Sequence, residues 1–282
     1  MTDQSFTLSA RFRHLLVFAG CLFLPVILQA QSKDTLALIK QFIQAGSSYK
    51  KLPLYLEIEQ QNSTNFIISE EDTTYTKGTF YLLPGVSYVR FGDIEQIVND
   101  SMALLVSDKM QHMVLFADAR PVQMQLKALT GPAWQDTSAI QVATRFTVQA
   151  ITPGENRSAL LLSGKRLLMN TSLPRESMEL HYDTRSNQPV KIITIKRTLV
   201  PLEANDYKTL QSNAAMAGKL VNKEDSAYYL VKEQVSHFIY RQIRHDTAMK
   251  IPVILSDRIG RDSEGKFQPV KNYEHYQLSI NE

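Results

Sequence analysis

Few residues in this sequence have types and spacings that could do chemistry. His181 and Asp183 stand two apart in a strand-like run, on one face of it, as two ligands of a metal site would. Asp93 and Glu95 flank Ile94, a spacing open to paired carboxylates in acid–base work. SGK at 163–165 ends like a phosphate loop but has no glycine ahead of it. Arg241, Arg244, His245 and Lys250 gather in one stretch and could meet anionic headgroups or an acidic partner. None of these groups closes into a catalytic set. No third ligand accompanies His181 and Asp183, and His112, His237, His245 and His275 are scattered. HExxH, GxSxG, a Walker loop and GxGxxG do not occur. A solvated strand face, a turn and a strand end account for the charged groups, and Trp134 beside Pro132 reads as packing. The expectation is a protein without catalytic residues, metal or cofactor. A compact His/Asp constellation in the fold would revive an enzymatic reading.

The chain around these groups begins with an address label. Arg11, Arg13 and His14 precede LLVFAGCLFLPVILQA at 15–30, which Ala30 closes. A basic start, an apolar centre and a small residue at the cut describe a secretory signal peptide over residues 1–30. A membrane anchor is the competing reading. The run is shorter than the ~20 apolar residues of a spanning helix, and Pro25 and Gln29 interrupt it, so cleavage after Ala30 is expected. Cys21 is the only cysteine and lies inside the label. Apolar LFLPVILQA follows it, where a lipidated terminus would be polar, so it reads as an ordinary residue of the apolar centre. The mature chain then has no disulfide, thiolate metal site or cysteine nucleophile and depends on a packed core. Charge separates few functions: 31 Lys+Arg stand against 28 Asp+Glu in 282 residues. Without Arg11, Arg13 and Asp3 the balance is 29 to 27, a net of +2, with no basic run dense enough for nucleic acid.

Residues 34–49 read as a helix, with Leu36, Ile39, Phe42 and Ile43 at helical spacing, Asp34 as cap and Gly46 at the end. Strands follow over Leu54–Glu59, Thr64–Glu70 centred on Phe66 and Ile68, the series from Gly78 to Asp100, 102–108 and 111–116. Asn62-Ser63, Pro84-Gly85, Asn99-Asp100 and Asp108-Lys109 read as turns between them. A short helix near Pro121 suits 119–131. Strands resume at 144–151, 158–169, 177–184 and 189–200, the last two joined by RSNQ. Residues 202–221 read as loop with a short helix. Residues 226–245 fit either a helix or a strand, and their β-branched and aromatic content favours strand. A turn at Ser263-Glu264-Gly265 and a strand near Tyr273–Ile280 end the chain. About ten strands cannot stay flat. The expected fold is mainly β: a curled antiparallel sheet, an open or half β-barrel, with an N-terminal helix and one or two short inserted helices. Residues 31–282 would form one β-rich domain with 202–221 as an insertion.

GTFY at 78–81, YVRF at 88–91, EQIVND at 95–100 and LLVSDKMQHMVLF at 104–116 form an ordered series. It resembles the central strands of the periplasmic lipoprotein-carrier family, the LolA/LolB-like proteins, where a Gly-led aromatic strand precedes a strand ending in a basic residue and an aromatic, then an I-V-x-D strand. The preceding helix and the short helix near 121–129 stand in the same order, so the resemblance spans roughly 34–200. It implies an unclosed barrel with helices over its concave face and an acyl chain held there. Burial of about 0.8 kcal/mol per CH₂ makes an apolar face sufficient for such cargo, with no catalytic group.

The apolar positions assigned to that cavity are Phe80, Leu82, Val89, Phe91, Leu104, Val106, Met113 and Leu115, with Tyr81, Arg90 and His112 on the other face. A slip of one residue would exchange the faces, and ordinary core would show the same alternation. The expected protein is a non-enzymatic periplasmic carrier or sensor of a lipid or lipoprotein acyl chain, with peripheral membrane contact and a protein partner in the envelope both open to it. The alternative is a structural or interaction component of a cell-envelope assembly whose cavity is filled by its own side chains or by the 202–221 segment. Nucleic acid is not an expected partner.

Overall fold

The computed structural model describes residues 35–41, 43–44, 51–124, 136–154, 157–169, 171–222 and 227–281. The leader with Cys21, the end of the first helix, Trp134 and the second half of the 119–131 helix lie outside them. Among the described residues fifteen strands occur: β1 Leu54–Thr64, β2 Thr74–Leu82, β3 Ser87–Phe91, β4 Ile94–Val98, β5 Ala103–Ser107, β6 His112–Phe116, β7 Phe146–Gly154, β8 Arg157–Gly164, β9 Glu176–Asp183, β10 Pro189–Leu202, β11 Leu220–Asn222, β12 Tyr228–Arg244, β13 Ile259–Arg261, β14 Phe267–Pro269 and β15 Gln277–Asn281. The helices are α1 (helical at 35–41 and 43–44), α2 (120–124), α3 (Asp136–Arg145), α4 (Ala204–Gln211) and α5 (Ala214–Ala217).

Thirteen strands share one curled sheet in the order β15-β6-β5-β4-β3-β2-β1-β12-β10-β9-β8-β7, with β11 on β12. β7 and β15 stand at opposite ends, and the sheet stays open. Pairing is antiparallel except between β6 and β15, which run parallel. The separate β13–β14 hairpin turns at the expected Gly265, whose φ is +81°. β12 settles the helix-or-strand ambiguity of 226–245. Its two edges are claimed by β10 along one side and by β1, then β11, along the other. Between β1 and β11 the side chain of Asn65 takes the place of a strand: its amide donates to Val231 O at 2.9 Å and accepts from Glu233 N at 2.7 Å.

Four expectations fail here, one of them in the run 158–169, where β8 ends at Gly164 and Leu167 makes only an isolated bridge to Pro174. β1 runs straight through Asn62-Ser63, because β2 and β12 pair with it on both edges, and Asn62 donates to Thr74 Oγ1 at 2.8 Å. The strand expected over Thr64–Glu70 is instead a loop, with Ile67 and Ile68 64% and 60% exposed. Asp72 holds that loop: it accepts from Ile68 N and Ser69 N and from Lys232 Nζ at 2.7 Å. The Lys232 bond and these two amides hold its carboxyl down at about 2. The fourth is α3, which precedes β7 where the sequence suggested no helix.

Each face of the sheet has its own cover. Leu38 of α1 and Val142 of α3 pack on Leu160, Leu162, Leu180 and Tyr182, and Val122 of α2 packs near Val98 and Ala103. These positions share one face through the strand pairs, here called the helix face. The opposite face of β3–β6 carries Tyr88, Ile97, Leu104, Val106, Met113 and Leu115. A strap formed by residues 251–276 seals it with Leu255, Ile259, Phe267 and Tyr273.

Candidate functional site

The strand pairs arrange the helix face of β1–β6 in three rows. Leu54, Leu82, Ser87, Val98, Ala103 and Phe116 form the first. Leu56, Phe80, Val89, Gln96, Leu105 and Val114 form the second, and Ile58, Gly78, Phe91, Ile94, Ser107 and His112 the third. Phe80, Val89, Phe91, Leu105 and Val114 are only half-buried. Along β1 the same face turns polar after Ile58, at Gln60, Asn62 and Thr64. A 450 Å³ cavity beyond that point has a mixed lining, with Gln60, Asn62 and Gln234 beside Phe146, Met178 and Phe238. The apolar floor is thus bounded on one side by polar groups.

The eight positions assigned to the cavity divide between the two faces. Phe80, Leu82, Val89 and Phe91 lie on the helix face. Leu104, Val106, Met113 and Leu115 lie on the other, fully buried under the strap. Their helix-face counterparts are Leu105 and Val114. Alternation within each strand was read correctly; the slip falls at the β4–β5 turn. Asn99 Oδ1 accepts from Ser101 N at 2.9 Å and from Met102 N at 2.7 Å, which fixes Val98 opposite Ala103. Tyr81 and Arg90 do lie away from the helix face, whereas His112 is on it.

Gly78 shapes the floor. A Cβ there would come within 2.5 Å of Phe91 Cδ2 and 3.0 Å of Ile58 Cγ2 and Phe80 Cε2. The missing side chain lets the Phe91 ring lie over β2, 6.4 Å from that of Phe80. Gly78→Val should displace Phe91 and cost about 1–3 kcal/mol by overpacking, seen as a lower urea midpoint with an unchanged denaturant slope.

Beneath the strap lies a charge that sequence reading missed. Glu95 accepts from Arg258 Nε at 2.7 Å, from Arg258 Nη2 at 3.0 Å and from the Tyr88 hydroxyl at 2.7 Å. The two side chains are 5% and 13% exposed, and the guanidinium stands 4.8 Å from the centre of the Tyr273 ring. Burial pushes the Glu95 carboxyl up, but the bonds from Arg258 and Tyr88 outweigh it and hold it below its usual range. Burial and the bond to Glu95 push Tyr88 up to about 12. The available signal was a Glu at an inward-facing strand position; its partner lies 163 residues away.

The other candidates have local roles. Asp183 caps its turn by accepting from Arg185 N and Ser186 N, and His181 Nε2 meets Glu179 at 3.1 Å. Among the described residues no His, Cys, Asp and Glu group could hold a metal. Asp93 accepts from Ser107 Oγ at 3.2 Å in the β3–β4 turn. In SGK, the Lys165 ammonium donates to the Ala143 carbonyl at the end of α3, at 2.6 Å. Arg241 pairs with Glu59 at 2.6 Å, Arg244 stacks 4.3 Å from the Tyr55 ring centre, and His245 Nδ1 lies 3.0 Å from Pro53 O.

The site is thus an apolar sheet face partly covered by helices. No protein-family model matches the chain, and no curated protein does. Among solved structures it is similar to an uncharacterized conserved protein from Thermus thermophilus, at 8% identity and TM-score 0.33, over 86% of this chain and 99% of that one. A putative outer membrane lipoprotein-sorting protein domain from Vibrio parahaemolyticus is similar at 7% identity and TM-score 0.27, over 77% and 94%. A LolA superfamily protein from Nitrosomonas europaea is similar at 7% identity and TM-score 0.23, over 76% and 94%.

Proposed function

We propose that the protein is exported through its leader, cleaved after Ala30, and acts without catalysis as a periplasmic carrier or sensor. It holds the acyl chain of a lipid or lipoprotein against the helix face. The observation that supports this most is the half-buried apolar floor of Phe80, Val89, Phe91, Leu105 and Val114, bordered along β1 by Gln60, Asn62 and Thr64. Leu105 and Val114 replace Leu104, Val106, Met113 and Leu115 as proposed ligand contacts, beside the retained Phe80, Leu82, Val89 and Phe91. An extended chain can exchange water for that floor, at about 0.8 kcal/mol for each CH₂ buried.

The reading in which the cavity is filled by the chain's own segments finds less support. The strap packs on the opposite face. The 202–221 insertion sits at the start of β12, with the Tyr207 ring 4.5 Å from that of Tyr228. No helix among the described residues is long and apolar enough to cross a membrane.

Displacement of a fluorescent fatty-acyl probe tests the proposal. Phe91→Glu places a charge in the apolar floor and should weaken binding at least tenfold, given the cost of desolvating an unpaired carboxylate. Wild-type affinity in a folded Phe91→Glu variant would reject the helix face as the site.

A further inference from the structure

In the first row of the helix face, Leu54, Leu82, Val98, Ala103 and Phe116 are apolar and Ser87 is the polar member. Ser87 is 3% exposed, and its Oγ has no hydrogen-bond partner among the described residues. A buried hydroxyl without a partner costs stability, and such groups are rare enough to require a reason. Ser87 lines a 460 Å³ cavity at the β2–β3 turn, together with Leu52, Leu82, Val86, Val98 and Gln123. Apart from Ser87, Asp100 and Gln123, the side chains that line the cavity are apolar. Leu83 N donates to Val86 O at 2.9 Å across the turn, and the Gln123 amide donates to Asn99 O at 2.9 Å.

We propose that this cavity is a subsite for the neutral oxygen of an acyl ester or long-chain alcohol, with the Ser87 hydroxyl as its hydrogen-bond partner. It rests on the acyl-chain reading above and specifies the polar end of the ligand. Leu82 and Ser87 belong to the row beside Phe80 and Val89, so a chain lying on the floor can place an oxygen in the cavity. Its lining selects a neutral group. Asp100 is the one charged side chain that lines the cavity among the described residues. A free carboxylate would lose water against a mainly apolar wall, with no cation among the described lining residues to offset that cost.

Calorimetric titration at pH 8 with methyl dodecanoate, dodecanol and dodecanoate tests this, on the wild type and on Ser87→Ala. The ester and the alcohol should bind the wild type more tightly than dodecanoate. Ser87→Ala should weaken both by about three- to tenfold, the value of one hydrogen bond, and leave dodecanoate unchanged. Ester and alcohol binding equal in Ser87→Ala and wild type would overturn the subsite and leave the acyl-chain reading standing. Absence of binding by all three ligands, with no displacement of the fluorescent probe, would remove both.

Discussion

Arg258→Ala is expected to cost about 3–5 kcal/mol, because it leaves the Glu95 carboxylate buried without its counter-charge. The two bonds from Arg258, at 2.7 and 3.0 Å, satisfy both carboxylate oxygens, and the Tyr88 hydroxyl supplies the third contact. Removal of the guanidinium leaves only that hydroxyl among these contacts. The paired change Glu95→Leu with Arg258→Met should recover most of the loss, since apolar groups of similar size often replace a buried pair at little cost. Urea unfolding at pH 7 of the three proteins measures this. A loss below about 1 kcal/mol in Arg258→Ala would show a pair no stronger than a surface one.

Acid should loosen the same contact. Glu95 is held below its ordinary range when folded, by Arg258 and Tyr88 against the opposing effect of burial. Its stabilisation is present above the unfolded carboxyl value, about 4.3, and is lost as pH falls through the lower folded value. Arg258→Ala removes a cause of the lowering, so its acid transition should lie at higher pH than that of the wild type. Circular dichroism followed from pH 7 to pH 2 would show the displacement.

Leu104→Ala is expected to cost about 2–5 kcal/mol, the range for a cavity left in a packed core. Leu104 is fully buried between Ile97, Leu115 and the strap. The variant should still bind an acyl probe when folded, because its side chain points away from the helix face. Phe91→Glu should do the reverse, losing the probe with a smaller loss of stability, since Phe91 is only half-buried. Thermal unfolding and probe displacement on the two variants separate the faces. Loss of affinity in a folded Leu104→Ala would contradict the division drawn here.

Much of the sheet was legible because its strands alternate and its turns carry Pro84-Gly85, Asn99-Asp100 and Asp108-Lys109. The long strand β12 was legible from its β-branched and aromatic residues. What was not legible depends on partners distant in sequence. Gln60-Gln61-Asn62-Ser63 looks like the approach to a turn, and only pairing on both edges keeps it extended. Leu104 and Leu105 are both apolar, so composition cannot tell which faces the helices; the Asn99 turn decides it. Glu95 resembled a turn carboxylate until Arg258 of the strap was brought against it. In α3 the apolar signal is thin: Val142 packs inward while Ile140 is 57% exposed. Four of the six proposed contacts, Phe80, Leu82, Val89 and Phe91, were therefore readable, and the two beyond the β4–β5 turn, Leu105 and Val114, were not.

The most direct measurement is native mass spectrometry, with lipid extraction, on the mature protein purified from an envelope fraction. The account predicts a stoichiometric acyl-chain adduct that is lost in Phe91→Glu and retained in folded Leu104→Ala. A clean unliganded mass, unchanged after incubation with phospholipid and lipopeptide, would contradict it.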